Sequence, residues 1–393
     1  MQEPLAGRRL WFVGIGGAGL SGYALLAHAW GTEVGGWDRA ETPYLANVRA
    51  AGIEVTISPE PVAPEGWEAV VSSAFDIPGT SRAELLAELV SLQRSIVVAG
   101  AHGKTTTTAM IAFVLDRLGL DPSFLIGGEI PQLGGNARAG EGWLVVEGDE
   151  SDRTISSLRP EIAVVLNVDL DHHATFGSLA EVRALFDTWL PHVPNVVLGD
   201  ELEPVAFDLQ LPGEHNRRNA AAALAALELA GVDRAPAEVA LQEFAGAGRR
   251  FELRGGDGVR VYDDYAHNPA KVAAALAAAR ELEPGRVLVL FQPHLYSRTR
   301  HLSHELARAL SAADAVAVID VYAAREEPTE GVTGKLVVDA LAELRPGMPV
   351  AWTPQLEDGV RFLSGRARRG DIVLTLGAGD VDRAAGLLVA ELS

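Results

Sequence analysis

Five clusters in this chain combine residue types and spacing that could do chemistry. Gly14-Ile15-Gly16-Gly17-Ala18-Gly19 has the G-x-G-x-x-G spacing that lets a backbone approach a phosphate, with the N–H groups of a following helix as donors. Asp38 follows a second apolar run, about where an acidic residue meets a ribose hydroxyl. Alone, this pair reads as a nicotinamide dinucleotide site, but the turn recognises a diphosphate, which a UDP-sugar supplies as well as NAD does. A glycine turn needed only for helix–strand packing is the plainer alternative.

The second cluster, Gly100-Ala101-His102-Gly103-Lys104-Thr105, sits between the run Ile96–Ala99 and a helical stretch opening with Thr105-Thr106-Thr107-Thr108. Backbone N–H groups and a lysine cradle polyphosphate, and a hydroxyl takes a place on Mg²⁺. Only two residues separate the glycines, where four are usual. Lysine occurs at Lys104, Lys271 and Lys335 alone, and arginine carries the other positive charge. A lysine kept in this turn points to a need for a compact ammonium.

The third cluster pairs Glu147-Gly148-Asp149-Glu150-Ser151-Asp152 with Asn167-Val168-Asp169-Leu170-Asp171-His172-His173. Carboxylates with one imidazole suit a hard divalent ion beside phosphates, whereas zinc is disfavoured by the lack of thiols and by adjacent histidines. Each cluster alone reads more readily as a solvated loop, and the phosphate loop in the same segment tips the reading to metal binding. Fourth are Gly213-Glu214-His215-Asn216-Arg217-Arg218-Asn219 and Gly248-Arg249-Arg250-Phe251, whose arginines could neutralise a transferring phosphoryl group or merely be solvated. Fifth are Asp263-Asp264-Tyr265-Ala266-His267-Asn268-Pro269 and Gln292-Pro293-His294-Leu295-Tyr296-Ser297-Arg298-Thr299, which could bind an acceptor or simply cap helices.

Short apolar runs alternate with amphipathic stretches of helical length, the pattern of α/β layers. Strands are expected at Leu10–Val13, Glu33–Gly35, Ala69–Ser73, Ile96–Ala99, Leu144–Glu147, Ile162–Val168, Val287–Phe291, Ala315–Ile319 and Ile372–Leu376. Helices are expected at Ala18–Trp30, Ser81–Leu92, Thr105–Leu118, Leu179–Leu190, His215–Leu229, Pro269–Leu282, Leu302–Ser311 and Val381–Leu392. Gly255-Gly256-Asp257-Gly258 signals a hairpin between two strand-like runs. Pattern resets near residues 93 and 247 divide the chain into three α/β segments, 1–92, 93–247 and 248–393.

The 393 residues carry a formal net charge of −20, with 48% hydrophobic and 22% charged residues and no cysteine. Such a chain buries its own core without disulfide or metal staples. Disulfides, zinc–thiolate centres, iron–sulfur clusters and thiol nucleophiles are excluded. The charge disfavours nucleic acid and anionic membrane as partners. No export signal, membrane-length apolar run or internal repeat is evident, so the expectation is a soluble cytoplasmic protein.

Taken in order, the motifs resemble the Mur ligases, ATP-dependent enzymes that add amino acids to UDP-N-acetylmuramate, over nearly the whole chain. Gly14–Gly22, Gly100–Thr108, Asp149–Asp152, Phe291–Thr299, Asp320–Glu326 and Gly377-Ala378-Gly379 look most like the branch that adds L-alanine. The resemblance implies a Rossmann-like N-terminal domain, a central P-loop-type ATPase domain and a Rossmann-like C-terminal α/β domain. It implies ATP, two Mg²⁺ ions, UDP-N-acetylmuramate and L-alanine as ligands, and an acyl-phosphate intermediate.

By motif match, Gly14, Gly16, Gly17, Gly19, Ser21, Asp38, Ser72 and Ser73 would face the UDP-sugar. Gly100, His102, Gly103, Lys104, Thr105, Thr106, Asn216, Asn219, Arg250 and Asp264 would face ATP. Thr105 and Glu150 would hold one Mg²⁺ and His172 a second, while Tyr265, His267 and Arg298 would lie near the acceptor. Lys104, Glu150, His172, Arg250 and Asp264 would form the catalytic set.

Three departures stand out against the family pattern. No lysine lies between Lys104 and Lys271, so the carbamylated lysine of several relatives is absent, as in the alanine-adding branch. Asn268 replaces a second histidine, and Leu295 an arginine. Asn195 to Leu211 replaces a longer stretch of the central domain. The competing readings are a recycling ligase that transfers a whole peptide, an NAD-dependent dehydrogenase, and a non-catalytic ligase-like subunit.

Overall fold

The structure, a computed structural model, describes residues 4–72, 74–170, 175–324 and 326–392. Ser73, His172 and the neighbours Asp171 and His173 lie outside the described residues, as does Arg325.

The first sheet is wholly parallel and built from β1 (Arg9–Val13), β2 (Glu33–Asp38), β3 (Glu54–Ile57), β4 (Glu68–Val71) and β5 (Thr80–Ser81) in the order β3-β2-β1-β4-β5. Helices α1 (Ala18–Ala29), α2 (Leu45–Ala50) and α3 (Arg82–Leu92) connect or follow its strands. The strand order reverses at β1, so the crevice beyond the carboxyl ends of β1 and β4 is the natural ligand position. Gly14 follows β1 there, and Ser72 follows β4.

The second sheet takes the order β11-β10-β6-β9-β7-β8, from β6 (Ser95–Ala99), β7 (Ser123–Ile130), β8 (Gly135–Arg138), β9 (Leu144–Glu147), β10 (Ile162–Val165) and β11 (Asn195–Leu198). All its pairings are parallel except β7–β8. Its helices are α4 (Lys104–Arg117), α5 (Leu179–Trp189), α6 (Glu214–Leu229) and α7 (Arg234–Gln242). Every residue of β6 is buried, as a central strand covered on both faces must be. The loops that follow β6, β9 and β10 are therefore neighbours at one end of the sheet. They carry Gly100–Gly103 leading into α4, Gly148–Asp152 and Leu166–Asp169, respectively.

The third sheet comprises β12 (Glu252–Gly255), β13 (Arg260–Asp264), β14 (Val287–Phe291), β15 (Ala315–Val318), β16 (Val350–Trp352) and β17 (Ile372–Leu376), ordered β12-β13-β17-β14-β15-β16. The expected hairpin is β12–β13, and the other pairings are parallel. Helices α8 (Pro269–Glu281), α9 (Tyr296–Leu310), α10 (Lys335–Leu344), α11 (Leu356–Ser364) and α12 (Asp382–Leu392) accompany it.

The chain forms two compact units, Met1–Gln210 with Asn216–Ala247, and Leu211–His215 with Gly248–Ser393. The first unit holds two sheets in one continuous apolar cluster, in which Leu10, Phe12 and Leu26 from the first sheet region join Val97, Leu125 and Val146 from the second. A Cβ on Gly22 of α1 would meet the Ala137 side chain at 3.2 Å and Leu125 at 3.4 Å, so the helix lies close on the β7–β8 hairpin.

Several elements depart from the sequence expectation. Helix α9 starts at Tyr296, not Leu302, because its first turns are polar and half-exposed and Leu295 launches it from a positive φ of 69°. The β7–β8 hairpin carries Gly127-Gly128, which masks it as a loop, and strand β10 stops at Val165. The sequence pattern does not announce helices α2, α7, α10 and α11. Gly22→Leu is expected to lower the unfolding free energy of the first unit by about 1–3 kcal/mol through overpacking against Leu125 and Ala137. Urea unfolding followed by tryptophan fluorescence measures it, and an unchanged midpoint would refute the close contact.

Candidate functional site

The second sheet places its phosphate loop by steric necessity. Gly100 has φ +127°, and a Cβ there would lie 2.8 Å from the Asn167 carbonyl oxygen. Gly103 has φ +87° and forms the N-cap of α4, and a Cβ there would collide with Asn219 Oδ1. Both positions thus demand glycine for conformation and for room. Asn167 buttresses the loop from β10's end. Its Oδ1 accepts from the His102 N–H at 2.9 Å, and its Nδ2 donates to the His102 carbonyl at 3.0 Å. His102 Nε2 faces Asp169 Oδ2 at 3.7 Å.

Lys104 opens α4 and turns its ammonium back across the loop. Nζ donates to the Gly100 carbonyl at 2.6 Å and to both Glu150 oxygens at 2.9 Å. Glu150 is 2% exposed. Thr105 Oγ1 donates to Glu147 Oε2 at 3.2 Å, and the other Glu147 oxygen accepts from the Gly127 N–H at 2.6 Å. Thr106 is buried in the same turn. Asn216 and Asn219, one turn apart on α6, are buried and linked at 3.4 Å from Nδ2 to Oδ1. Next to Glu150, burial opposes the charge of Asp149. The Ser151 hydroxyl and N–H and the nearby Lys104 and Arg82 charges outweigh it and hold the Asp149 pKa below its ordinary value.

Among the described residues, no group of three or more Asp, Glu or His converges as a ready metal cage. A hydroxyl and two carboxylates around the Lys104 turn nevertheless form a hard-oxygen donor set. Such a set fits Mg²⁺, which uses one or two carboxylates and completes its shell with phosphate and water.

The glycine turn of the first sheet is closed by its own acid. Asp38 Oδ2 accepts from the Gly16 N–H at 2.8 Å, Asp38 Oδ1 accepts from the Arg39 N–H at 2.7 Å, and the Thr42 hydroxyl donates to the Gly16 carbonyl at 2.7 Å. Gly14 has φ +89°, and a Cβ there would strike the Phe75 ring at 2.8 Å and the Ser72 side chain at 3.1 Å. Gly17 is the N-cap of α1, and Ser21 is buried one turn along. Gly19 faces Arg82 across the first turn.

In the second unit, Asp264 anchors the end of β13. It accepts from the Phe251 N–H and the Ala266 N–H, both at 2.7 Å. Burial raises its pKa to about 6; the Arg250 charge and those two N–H groups oppose the rise, and Asp263 adds to it. Arg249 bonds Asp263 Oδ2 at 2.9 Å, the Gly377 carbonyl at 2.7 Å and the Gly379 carbonyl at 3.1 Å. Arg250 lies over the Tyr265 ring at 4.9 Å.

An aromatic row runs from Tyr265 to His267, His294 and Tyr322, with ring centroids 5.3, 5.5 and 5.9 Å apart. Arg298 Nη1 sits 3.2 Å from His294 Nδ1. Asn268, where a second histidine was expected from the family, caps α8 by accepting from the Lys271 N–H at 2.9 Å.

The first unit thus gathers His102, Lys104, Thr105, Glu150, Asn216 and Asn219, while Arg250, Asp264, Tyr265, His267 and Arg298 gather in the second. Sequence reading missed Glu147 and Asn167 as partners of the phosphate loop, and Arg82 as the partner of Asp149 and Asp152. It also missed Arg249 as the clamp of the third sheet.

Three family profiles match the chain: "Mur ligase family, catalytic domain" over residues 9–94, "Mur ligase middle domain" over 98–188 and "Mur ligase, glutamate ligase domain" over 249–379. The UDP-N-acetylmuramate–L-alanine ligase of Renibacterium salmoninarum is 39% identical, covering 98% of this chain and 96% of that protein. Its namesake from Streptomyces coelicolor is 38% identical over 99% of each. The crystal structure of the UDP-N-acetylmuramate–alanine ligase from Thermotoga maritima superposes with a TM-score of 0.80 at 28% identity, covering 97% of this chain and 98% of that one. A murein peptide ligase from Psychrobacter arcticus shares the fold with a TM-score of 0.65 at 23% identity, over 98% of this chain and 99% of that one.

The Asp264 carboxyl carries a sign-defined pH prediction. Its folded pKa of about 6 lies above the ordinary value of 3.8, so the native state holds the proton more tightly than the unfolded chain. Its contribution is therefore largest below pH ~4 and falls by up to about 3 kcal/mol as pH rises to ~6, then stays flat. Asp264→Asn should flatten that slope in denaturant titrations at stepped pH, and an unaltered slope would exclude Asp264 as its source.

Proposed function

The chain belongs to the Mur ligase family, and from that premise we propose that it joins L-alanine to the lactyl carboxylate of UDP-N-acetylmuramate, consuming ATP, in peptidoglycan precursor synthesis. The observation that carries this reading is the Lys104 ammonium held between the Gly100 carbonyl and Glu150, on a glycine loop that closes a central parallel strand.

We assign UDP-sugar binding to residues 1–92, ATP binding to 93–247 and amino-acid binding to 248–393. Cytoplasmic action follows from the soluble nucleotide substrates. Among the described residues, no helix is long and apolar enough to cross a membrane.

In the proposed reaction the lactyl carboxylate oxygen attacks the γ-phosphorus of ATP. An acyl–O–P bond forms as the bond to ADP breaks. The L-alanine nitrogen then attacks the acyl carbon, inorganic phosphate leaves with the bonding pair, and the amine loses a proton. Two anions must approach each other in the first step, so fixed positive charge is the main requirement. The α4 N-terminus and Lys104 supply it at the ATP phosphates, with Gly100, His102, Gly103 and Thr106 shaping the loop.

Thr105, Glu147 and Glu150 would hold Mg²⁺, which when bound neutralises phosphate charge, and His172 is assigned to a second ion. Lys104 would meet the phosphates beside Glu150, which stands next to it. Asn216 and Asn219 brace the nucleotide side. Gly14, Gly16, Gly17 and Gly19 at the start of α1, with Ser21, Asp38, Ser72 and Ser73, receive the UDP-sugar. Arg250 and Asp264 serve the transferring phosphate, and Tyr265, His267 and Arg298 orient the amino acid.

Phosphate release from Mg-ATP is expected to require UDP-N-acetylmuramate and to be fastest with L-alanine, compared with glycine, L-serine and a tripeptide. Release with the tripeptide alone would instead assign the chain to peptide recycling, and no release with any acceptor would refute ligase activity. Lys104→Ala should abolish turnover while leaving UDP-sugar binding measurable by calorimetry; near-normal turnover would overturn the phosphate-loop assignment. His267→Ala and Arg298→Ala should each raise the KM for L-alanine about 10-fold or more with little change in that for ATP, since they remove acceptor contacts only. An unchanged alanine KM would remove them from the acceptor site.

A further inference from the structure

Arg82 has no role in the reaction as assigned above, yet its guanidinium stands between the two nucleotide sites of the first unit. It is the first residue of α3, whose N-terminus is already capped by the reciprocal Ser81–Glu84 bonds, so its side chain is not needed to start the helix. Nη2 donates to Asp149 Oδ2 at 3.2 Å and to Asp152 Oδ2 at 3.0 Å.

These two acids flank Glu150, the partner of Lys104. Each commits its other oxygen to its own loop. Asp149 Oδ1 accepts from the Ser151 N–H at 2.9 Å and hydroxyl at 2.6 Å, and Asp152 Oδ1 accepts from the Thr154 N–H at 3.0 Å and from its hydroxyl. The acidic loop is therefore folded by its own short-range bonds and tied to α3 by one arginine.

The opposite edge of the guanidinium looks the other way. Nη1 lies 3.3 Å from where a Cβ of Gly19 would stand, and Cδ 3.7 Å from it, so Arg82 covers the first turn of α1. That turn is the one whose N–H groups receive a diphosphate. Tyr23, one turn further along α1, is buried close by, and the Arg82 charge works against the burial that raises its pKa. Gly19 thus leaves the Arg82 guanidinium room to lie close against the turn.

We propose that Arg82 is a positioning residue that couples the two nucleotide sites. With one edge it holds the acidic loop so that Glu150 stays beside Lys104, and with the other it faces the anion bound at the glycine turn. The anion draws on the same delocalised charge that pins Asp149 and Asp152, so occupancy of one site changes affinity at the other, and reciprocally. This inference rests on the assignment of UDP-sugar and ATP to those two sites.

The test uses binding and needs neither L-alanine nor turnover. Calorimetry of Mg-ADP binding to the full chain, with and without saturating UDP, gives a coupling factor, as does the reverse titration. Wild type is expected to show UDP changing Mg-ADP affinity by about 5-fold or more, the lower range of measured couplings. Arg82→Ala and Arg82→Lys should bring that factor to one; Arg82→Ala should also weaken Mg-ADP binding alone, because Glu150 is released.

Asp149→Asn with Asp152→Asn cuts the same bonds from the other side. That variant should abolish the coupling while retaining UDP affinity, and adding Arg82→Ala to it should weaken Mg-ADP no further. Circular dichroism and melting temperature identify any variant that fails to fold, and Arg82→Lys keeps the charge while losing the fork. A coupling factor unchanged in a folded Arg82→Lys or in the acid double variant overturns the inference while leaving the ligase reading intact. Wild-type chain that binds neither UDP nor Mg-ADP overturns both.

Discussion

A lysine–glutamate pair almost closed to water is the constraint around which the first unit is arranged. Glu150 is 2% exposed and Lys104 18%. Removing two charges from water costs several kcal/mol per ion, and such a pair is tolerated only when further hydrogen bonds complete it. Here the Gly100 carbonyl supplies one, and the positive end of α4 favours the Glu150 carboxylate. Neither residue can stand there without strand ends that converge, and these require β6 to be flanked by β9 and β10. The parallel sheet, the two glycines with positive φ and the Asn167 buttress all follow from placing one ammonium and one carboxylate against a helix start.

The second unit solves a similar problem with backbone geometry. Arg249 and Phe251 both adopt positive φ, +56° and +51°, conformations that cost non-glycine residues energy. The Phe251 N–H donates to Asp264, and the Arg249 guanidinium reaches Asp263 and the glycine carbonyls beyond β17. The strained turn is held because both ends are bonded to the sheet. Arg250, between them, is thereby directed over Tyr265.

Much of this organisation was legible in the sequence because it is local. Apolar runs such as Ile96–Ala99 and Val287–Phe291 announce buried strands, and glycine clusters directly after them announce loops at strand ends. The phosphate loop, the acidic motif at Glu150 and the hairpin at Gly255–Gly258 all carry short-range signals of this kind. What the sequence hid is what the fold assembles across distance. Arg82 precedes Asp149 and Asp152 by 67 and 70 positions, and His102 precedes Asn167 by 65, so no spacing rule links them. The polar first turns of α9 hide its start, and two glycines interrupt the apolar pattern of β7–β8. Asn268 shows the converse: it departs from the family motif, yet as Asx before Pro269 it has a plain local duty as a helix cap.

The apolar cluster shared by the first two sheets has a thermodynamic meaning. Leu26, Leu89, Leu125, Phe176 and Trp189 belong to one body of buried side chains, although they span the boundary that the sequence pattern draws near residue 93. A chain severed at that boundary would leave hydrocarbon open on both fragments, and neither half would keep its melting temperature. The glycine turn of the first sheet and the lysine loop of the second therefore share one cooperative transition: heat or denaturant dismantles both together, and the first 92 residues are not a portable module.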